Sequence, residues 1–96
     1  MIGLNYTTVD ENPSEETVLY PNPTTGDIFI TIPDIMLNEI KILGINGELK
    51  ANINPLEVRI NPNTLKMNLN GYSNGTYLID IYGDNWHKTY KAALVK

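Results

Sequence analysis

The sequence contains no cysteine, so neither a disulfide framework nor a thiolate metal site can form. It has one histidine, His87, and only two serines, Ser14 and Ser73. Catalysis by a serine needs a base beside the nucleophile, and a zinc site needs at least three good ligands. The composition therefore argues against both, and we predict that His87 is a surface histidine beside Trp86.

Long apolar runs and a basic surface are also lacking. No run approaches the roughly 18 apolar residues that a membrane-spanning helix needs, and residues 1–10 have neither the basic start nor the apolar stretch of a signal peptide. Residues 1–40 carry seven acids and no Lys or Arg, whereas the remainder carries four acids and all seven bases. A nucleic-acid partner would need a basic surface overall, so this distribution argues against one.

The carboxylates do not form a recognisable catalytic or metal site. A glycosidase needs two that face each other across a sugar, and no spacing here selects a pair. The acids at 10–11 and 15–16 lack the order of a calcium-binding loop. We predict no enzyme, no cofactor and no metal.

What the chain does contain is a short-strand pattern. Its 96 residues suffice for one domain, and 42% hydrophobic against 19% charged residues is typical of a globular protein. Alternating apolar runs, bounded by Gly, Pro, Asn and Asp, recur about every ten residues. This pattern predicts an all-β fold, a seven-stranded antiparallel Ig-like β-sandwich.

The N-terminal segment differs from the rest. Residues 1–16 are mostly polar, which suits a linker, although Ile2, Leu4 and Tyr6 alternate and would allow a short edge strand. We therefore place the domain at residues 17–96.

The predicted strands cover most of that domain. In 28–32 the three isoleucines share one face, which we expect to be buried. The Asn46-Gly47 dipeptide between apolar residues is a strong hairpin signal and predicts that the strands on either side are adjacent. The other runs are 17–20, 39–43, Val58 with Ile60, 65–69, 76–82 and 86–95.

The aromatic residues are the best argument for a binding site. Tyr77 shares a strand face with Ile79 and Ile81, which predicts a core position. A sugar-binding platform made of Trp86, Tyr82 and Tyr90 stays open as an alternative, since an aromatic face packs against a pyranose.

The order of four motifs is more specific than any one of them. Residues 19–26 read LYPNPTTG, 42–49 read ILGINGEL, 74–79 read NGTYLI, and the chain ends in KAALVK. This set resembles the type A C-terminal sorting domain (Por secretion tail) of type IX secretion cargo, over 18–96. The motif residues are Pro21, Asn22, Pro23, Gly26, Asn46, Gly47, Gly75, Tyr77, Lys91, Leu94, Val95 and Lys96.

The resemblance implies a sorting signal read by the outer-membrane type IX translocon of a Gram-negative cell. It implies a cargo domain N-terminal to this fragment, exported through the periplasm to the cell surface or beyond. It also implies that a sortase-like cysteine protease cuts between residues 1 and 17, a polar segment that a protease can reach, and that the cargo is then attached to the surface.

An Ig-like adhesion or carbohydrate-binding module of a secreted protein is the competing interpretation. Both interpretations share a fold, so the fold alone does not separate them. A sorting domain needs its terminal segment, 91–96, whereas a sugar binder needs an exposed aromatic row.

Overall fold

A computed structural model describes residues 18–96. The predicted linker or edge strand at 1–16 lies outside the described residues, as does Thr17. The elements, in chain order, are β1 Leu19–Tyr20, β2 Asp27–Thr31, β3 Leu37–Gly44, β4 Leu49–Ile53, α1 Pro55–Val58, β5 Arg59–Asn61, β6 Thr64–Asn68, β7 Gly75–Gly83 and β8 Trp86–Leu94.

The strands form two four-stranded antiparallel sheets, one with the order β1-β2-β6-β5 and the other with the order β4-β3-β7-β8. The described residues thus contain eight strands, against about seven expected from the sequence pattern. The additional strand is β4, which follows the Asn46-Gly47 turn and pairs with β3, and for which the sequence shows no separate alternating run. The prediction of an all-β fold is confirmed.

Apolar residues on the facing sides of the two sheets form one core. Strand alternation puts every second side chain on the inner face, and the three isoleucines at 28, 30 and 32 are buried as predicted. Tyr77 is 5% exposed and belongs to the core, also as predicted. The other buried hydrophobic residues are Leu37, Ile40, Ile42, Leu65, Met67, Leu69, Ile79, Ile81, Tyr90, Ala92 and Leu94.

One predicted strand is partly wrong. Val58 and Ile60 were expected in the same strand, but Val58 ends the helical turn α1, and β5 begins one residue later. Pro55 at the start of the turn has a fixed φ and no N–H to lose, and the Asn54 side chain accepts a hydrogen bond from the amide of Leu56 at 3.0 Å. Local capping therefore outweighs a two-residue alternation.

The hairpin predicted at Asn46-Gly47 is confirmed, because β3 and β4 are paired neighbours. The Gly47 amide donates to the Gly44 carbonyl at 2.8 Å, which closes the turn around Ile45 and Asn46. Gly47 has a φ of +92°, a left-handed conformation that favours glycine. The second residue of the dipeptide thus supplies the backbone freedom on which the turn depends.

Candidate functional site

Four sequence motifs meet at one end of the sandwich. Strand β7 begins where β3 and β8 end, so that Tyr77 lies opposite Gly44 on one side and Ala92 on the other. We call this region the motif end and define it as residues 21–27, 44–48, 68–77 and 91–96. The opposite region, residues 32–38, 54–64 and 83–86, is the helix end.

The loop before β2 binds the edge of the C-terminal strand. The Asn22 side-chain amide donates to the Lys91 carbonyl at 3.0 Å, and its oxygen accepts from the Ala93 amide at 3.0 Å. The Thr24 amide donates to the Ala93 carbonyl at 2.8 Å, and its carbonyl accepts from the Val95 amide at 2.9 Å. We call residues 22–24 the latch. It lies in the loop between β1 and β2, which belong to one sheet, and it binds β8, the edge strand of the other sheet.

A buried threonine holds the latch in place. Thr24 is only 1% exposed, and its hydroxyl donates to the Asp27 carbonyl at 2.6 Å while it accepts from the Gly26 amide at 3.0 Å. Pro21 and Pro23 flank Asn22, and both X-Pro peptide bonds are cis. The loop thus presents Asn22 outward while its base is anchored inside the domain.

Gly26 is tightly enclosed. A Cβ atom at this position would lie 2.3 Å from the side-chain oxygen of Asn70, closer than real Cβ contacts. The Gly26 carbonyl also accepts from the Leu69 amide at 2.9 Å. The turn between the latch and β2 therefore packs directly against the segment that follows β6.

Gly75 and Tyr77 begin the central strand of the second sheet. Gly75 has a φ of +155° and no atom within 4 Å of a Cβ position, so backbone freedom rather than close approach is what glycine provides there. The Tyr77 hydroxyl donates to the Ser73 carbonyl, and its ring stacks on Tyr72 with centroids 5.3 Å apart. These contacts hold Tyr72 and Ser73 against the start of β7.

The hairpin turn and the start of β7 enclose a shallow, open pocket of about 250 Å³. Beside it the Lys50 ammonium lies 3.2 Å from the Glu48 carboxylate. The hydrogen bond from Lys50, followed by one from Asn46 and the charge of Lys50, lowers the pKa of Glu48 below its ordinary value. The carboxylate is fully exposed, so this pair contributes little to stability.

The last residue of the chain is tied to the connection between β6 and β7, which leads from one sheet to the other. The Lys96 amide donates to the side-chain oxygen of Asn74 at 3.0 Å, and its ammonium donates to the Asn70 carbonyl at 3.2 Å. Leu94 is 1% exposed and belongs to the core, whereas Val95 is 55% exposed. Lys91 also projects into solvent, although its backbone carbonyl is engaged by the latch.

The three aromatic residues of the alternative sugar platform do not come together. Tyr90 is 7% exposed and lies in the core, and Trp86 is half-buried against it. Tyr82 lies on the outer face of the sheet, where its ring stacks on His87 at 4.3 Å and 6° from parallel. The Lys41 ammonium lies 5.5 Å from the centroid of the Tyr82 ring.

The motif end also depends on Thr24, Asn70 and Asn74, which are not among the motif residues predicted from the sequence. Each occurs in a segment rich in turn-forming residues, which is the signal that could have drawn attention to them. Their partners are not readable from the sequence, since Asn70 and Asn74 contact Lys96, which lies 26 and 22 residues further along the chain.

Across residues 18–96, no three His, Asp or Glu side chains are grouped as metal ligands. Within the same residues, no helix has the length and apolar character to cross a membrane.

Comparison with known proteins assigns the family. The family model described as secretion system C-terminal sorting domain matches residues 18–96, which is nearly the whole chain and all of the described structure. Neither the curated proteins nor the solved structures contain a match. The motifs that meet at the motif end all lie inside the matched region, and we conclude that this chain belongs to the family of type IX secretion C-terminal sorting domains.

Proposed function

We propose that this domain directs a secreted cargo protein through the outer-membrane translocon of a type IX secretion system. Membership of the sorting-domain family supports the role of a tag carried by cargo rather than that of a catalyst. The family also implies an interaction with the secretion machinery and export to the cell surface or the extracellular space. In this proposal the outer-membrane translocon of a Gram-negative cell is the component that reads the domain.

The convergence at the motif end is the observation that carries the proposal. The latch, the hairpin turn, the start of β7 and the terminal segment are spread over some 75 residues of sequence, yet they share one end of the sandwich. A signal read as a folded shape needs such a surface, because separate short motifs would not be held in a constant relative position.

The fate of the domain after export is part of the same proposal. A sortase-like cysteine protease would cut within residues 1–17 and join the cargo to the cell surface. In support, that segment is polar and contains four of the eleven acids, a composition suited to an accessible linker. The domain proper then begins at residue 17 or 18.

We also propose that the two sheets have the strand order of an Ig-like sandwich. In immunoglobulin constant domains one sheet has the order A-B-E-D and the other contains C-F-G. The orders β1-β2-β6-β5 and β3-β7-β8 correspond to these, with β4 added beside β3. No observation favours the adhesion or sugar-binding alternative, because Tyr82, Trp86 and Tyr90 form no common exposed face.

The test is export of a reporter fused to the N-terminus of the full 96-residue chain, in a type IX-competent cell. We expect the reporter to leave the cell with the intact chain and to stay in the periplasm when residues 92–96 are deleted. Unchanged export after the deletion would falsify the proposal.

The deletion also removes two buried residues, Ala92 and Leu94, so it can impair folding. A second variant therefore replaces Val95, which is 55% exposed, with Asp. We expect this variant to fold, as measured by thermal unfolding, and to be exported less than the parent. Normal export of the folded Val95→Asp variant, together with normal export of the deletion, would show that the terminal segment is not read.

A further inference from the structure

The C-terminal strand β8 lies at the edge of its sheet, but its terminal half is closed. An edge strand normally presents unpaired N–H and C=O groups, which a partner strand can use. In β8 every second residue directs its backbone N–H and C=O away from β7. The Lys91 carbonyl, both backbone groups of Ala93 and the Val95 amide all bond to the latch instead.

A partner that adds a strand along residues 91–95 would have to break these four hydrogen bonds. It would also have to move Thr24, which is buried and whose hydroxyl bonds to Gly26 and Asp27. The latch thus occupies the position that an added strand would take. It contributes one short stretch of parallel pairing, between Thr24 and Leu94.

Side chains, rather than backbone groups, are what the closed edge offers to a partner. Pro21, Asn22 and Pro23 are exposed on the loop, and Val95 is exposed on the strand. Within residues 21–26 and 91–96 the ionisable side chains are Lys91 and Lys96, both cationic. A protein surface that places carboxylates next to an apolar contact would complement this combination of charge and apolar area.

We propose that the partner reads the closed latch and β8 as one composite surface, through side chains, and does not pair a strand with residues 91–95. This rests on the proposed sorting function and specifies the mode of recognition at the same site. The partner's contact region carries carboxylates that face Lys91 and Lys96, beside an apolar patch that faces the prolines and Val95.

The first test opens the edge with Asn22→Ala, which removes two of the four hydrogen bonds. Asn38→Ala at the helix end is the matched control, because that exposed side chain donates a single hydrogen bond, to Asp84 at 3.1 Å. We expect amide exchange at Ala93 to rise about tenfold in Asn22→Ala, since each lost hydrogen bond makes local opening easier. Asn38→Ala should leave that exchange unchanged.

Export of the fused reporter then discriminates between the two modes of recognition. A composite surface predicts that Asn22→Ala reduces export several-fold while the domain stays folded, and that Asn38→Ala does not. The inference would be overturned if amide exchange shows that the Ala93 amide is exposed in Asn22→Ala and export is nevertheless faster or unchanged. Faster export would mean that the opened edge helps a pairing strand, and unchanged export would mean that closure of the edge does not affect recognition.

The second test concerns charge. Lys91→Glu should reduce export several-fold, and Lys88→Glu, an exposed position on the same strand nearer the helix end, should not. Equal export of the two variants would overturn the assignment of carboxylates to the partner.

If deletion of residues 92–96 leaves export intact, the sorting function itself fails. If the deletion blocks export but Asn22→Ala does not, only the composite surface fails.

Discussion

The two ends of this sandwich are held together in different ways. At the motif end, hydrogen bonds join the two sheets: Asn22 and Thr24 reach across to β8, and the Lys96 ammonium reaches the segment after β6. The helix end is different, because the side-chain hydrogen bonds described there join neighbours in sequence or segments of one sheet. Arg59, for example, donates to the Pro62 carbonyl at 2.7 Å and to the Pro33 carbonyl at 3.4 Å.

Apolar side chains are exposed at both ends. At the helix end Met36 is 70% and Leu56 83% exposed. At the motif end Ile45 is 62% and Val95 55% exposed. The difference between the ends therefore lies in the hydrogen bonds that join the two sheets at the motif end. A surface that must present several distant motifs together is better built where the sheets are tied to each other.

The largest expected effect comes from burial, which differs between Leu94 at the motif end and Leu56 at the helix end. Leu94→Ala should lower the free energy of unfolding by about 2–5 kcal/mol, because it leaves a cavity at a fully buried position. Leu56→Ala, the same change at the helix end, should alter it by no more than about 0.5 kcal/mol, since that side chain is mostly in water. Urea unfolding of both variants measures this. Equal losses would contradict the difference in burial between these two side chains.

A smaller effect is expected from the buried hydroxyl of the latch. Thr24→Val keeps the shape of the side chain but leaves the buried Gly26 amide without its acceptor, which should cost about 1–3 kcal/mol. The control is Thr64→Val, at a half-buried position of β6 near the helix end, for which we expect a change within about 0.5 kcal/mol. A Thr24→Val domain as stable as the parent in urea would contradict the anchoring role of Thr24.

The smallest effect concerns the Glu48–Lys50 pair at the hairpin turn. The pKa of Glu48 is lowered in the folded domain, so its contribution to stability is present above the unfolded pKa and is lost as the pH falls through the folded value. An NMR titration of the carboxyl group should place its pKa below the ordinary value of 4.5. Lys50→Met or high salt should raise it. A pKa that responds to neither change would rule out Lys50 as its cause.

Much of the fold was predictable from the residues because its causes are local. Alternation in 28–32 and in 76–82 identified both the strands and their buried faces, and Asn46-Gly47 identified the hairpin. The prediction failed at Val58, where the capping of α1 by Asn54 competes with a weak two-residue pattern. The alternative sugar platform combines Trp86 with Tyr82, but their strand positions put them on opposite faces of the sheet.

The site was less predictable than the fold. The motif residues could be selected from the sequence, but their contacts could not, because Asn22 bonds to residues 69 and 71 positions away. No local pattern specifies such a partner. Nor does any local pattern show that the latch occupies the outer edge of β8.

What the sequence determined by itself is most of the strands, the buried faces of 28–32 and 76–82, the Asn46-Gly47 turn and the order of the sorting motifs, since each depends on neighbouring residues. Tertiary structure alone decided how the strands divide between two sheets, that the four motifs share one end, and that the latch closes β8. The physical reason is that an edge strand bonds to whichever backbone and side-chain groups the packing of the sheets brings within about 3 Å, and that packing is a property of the whole domain.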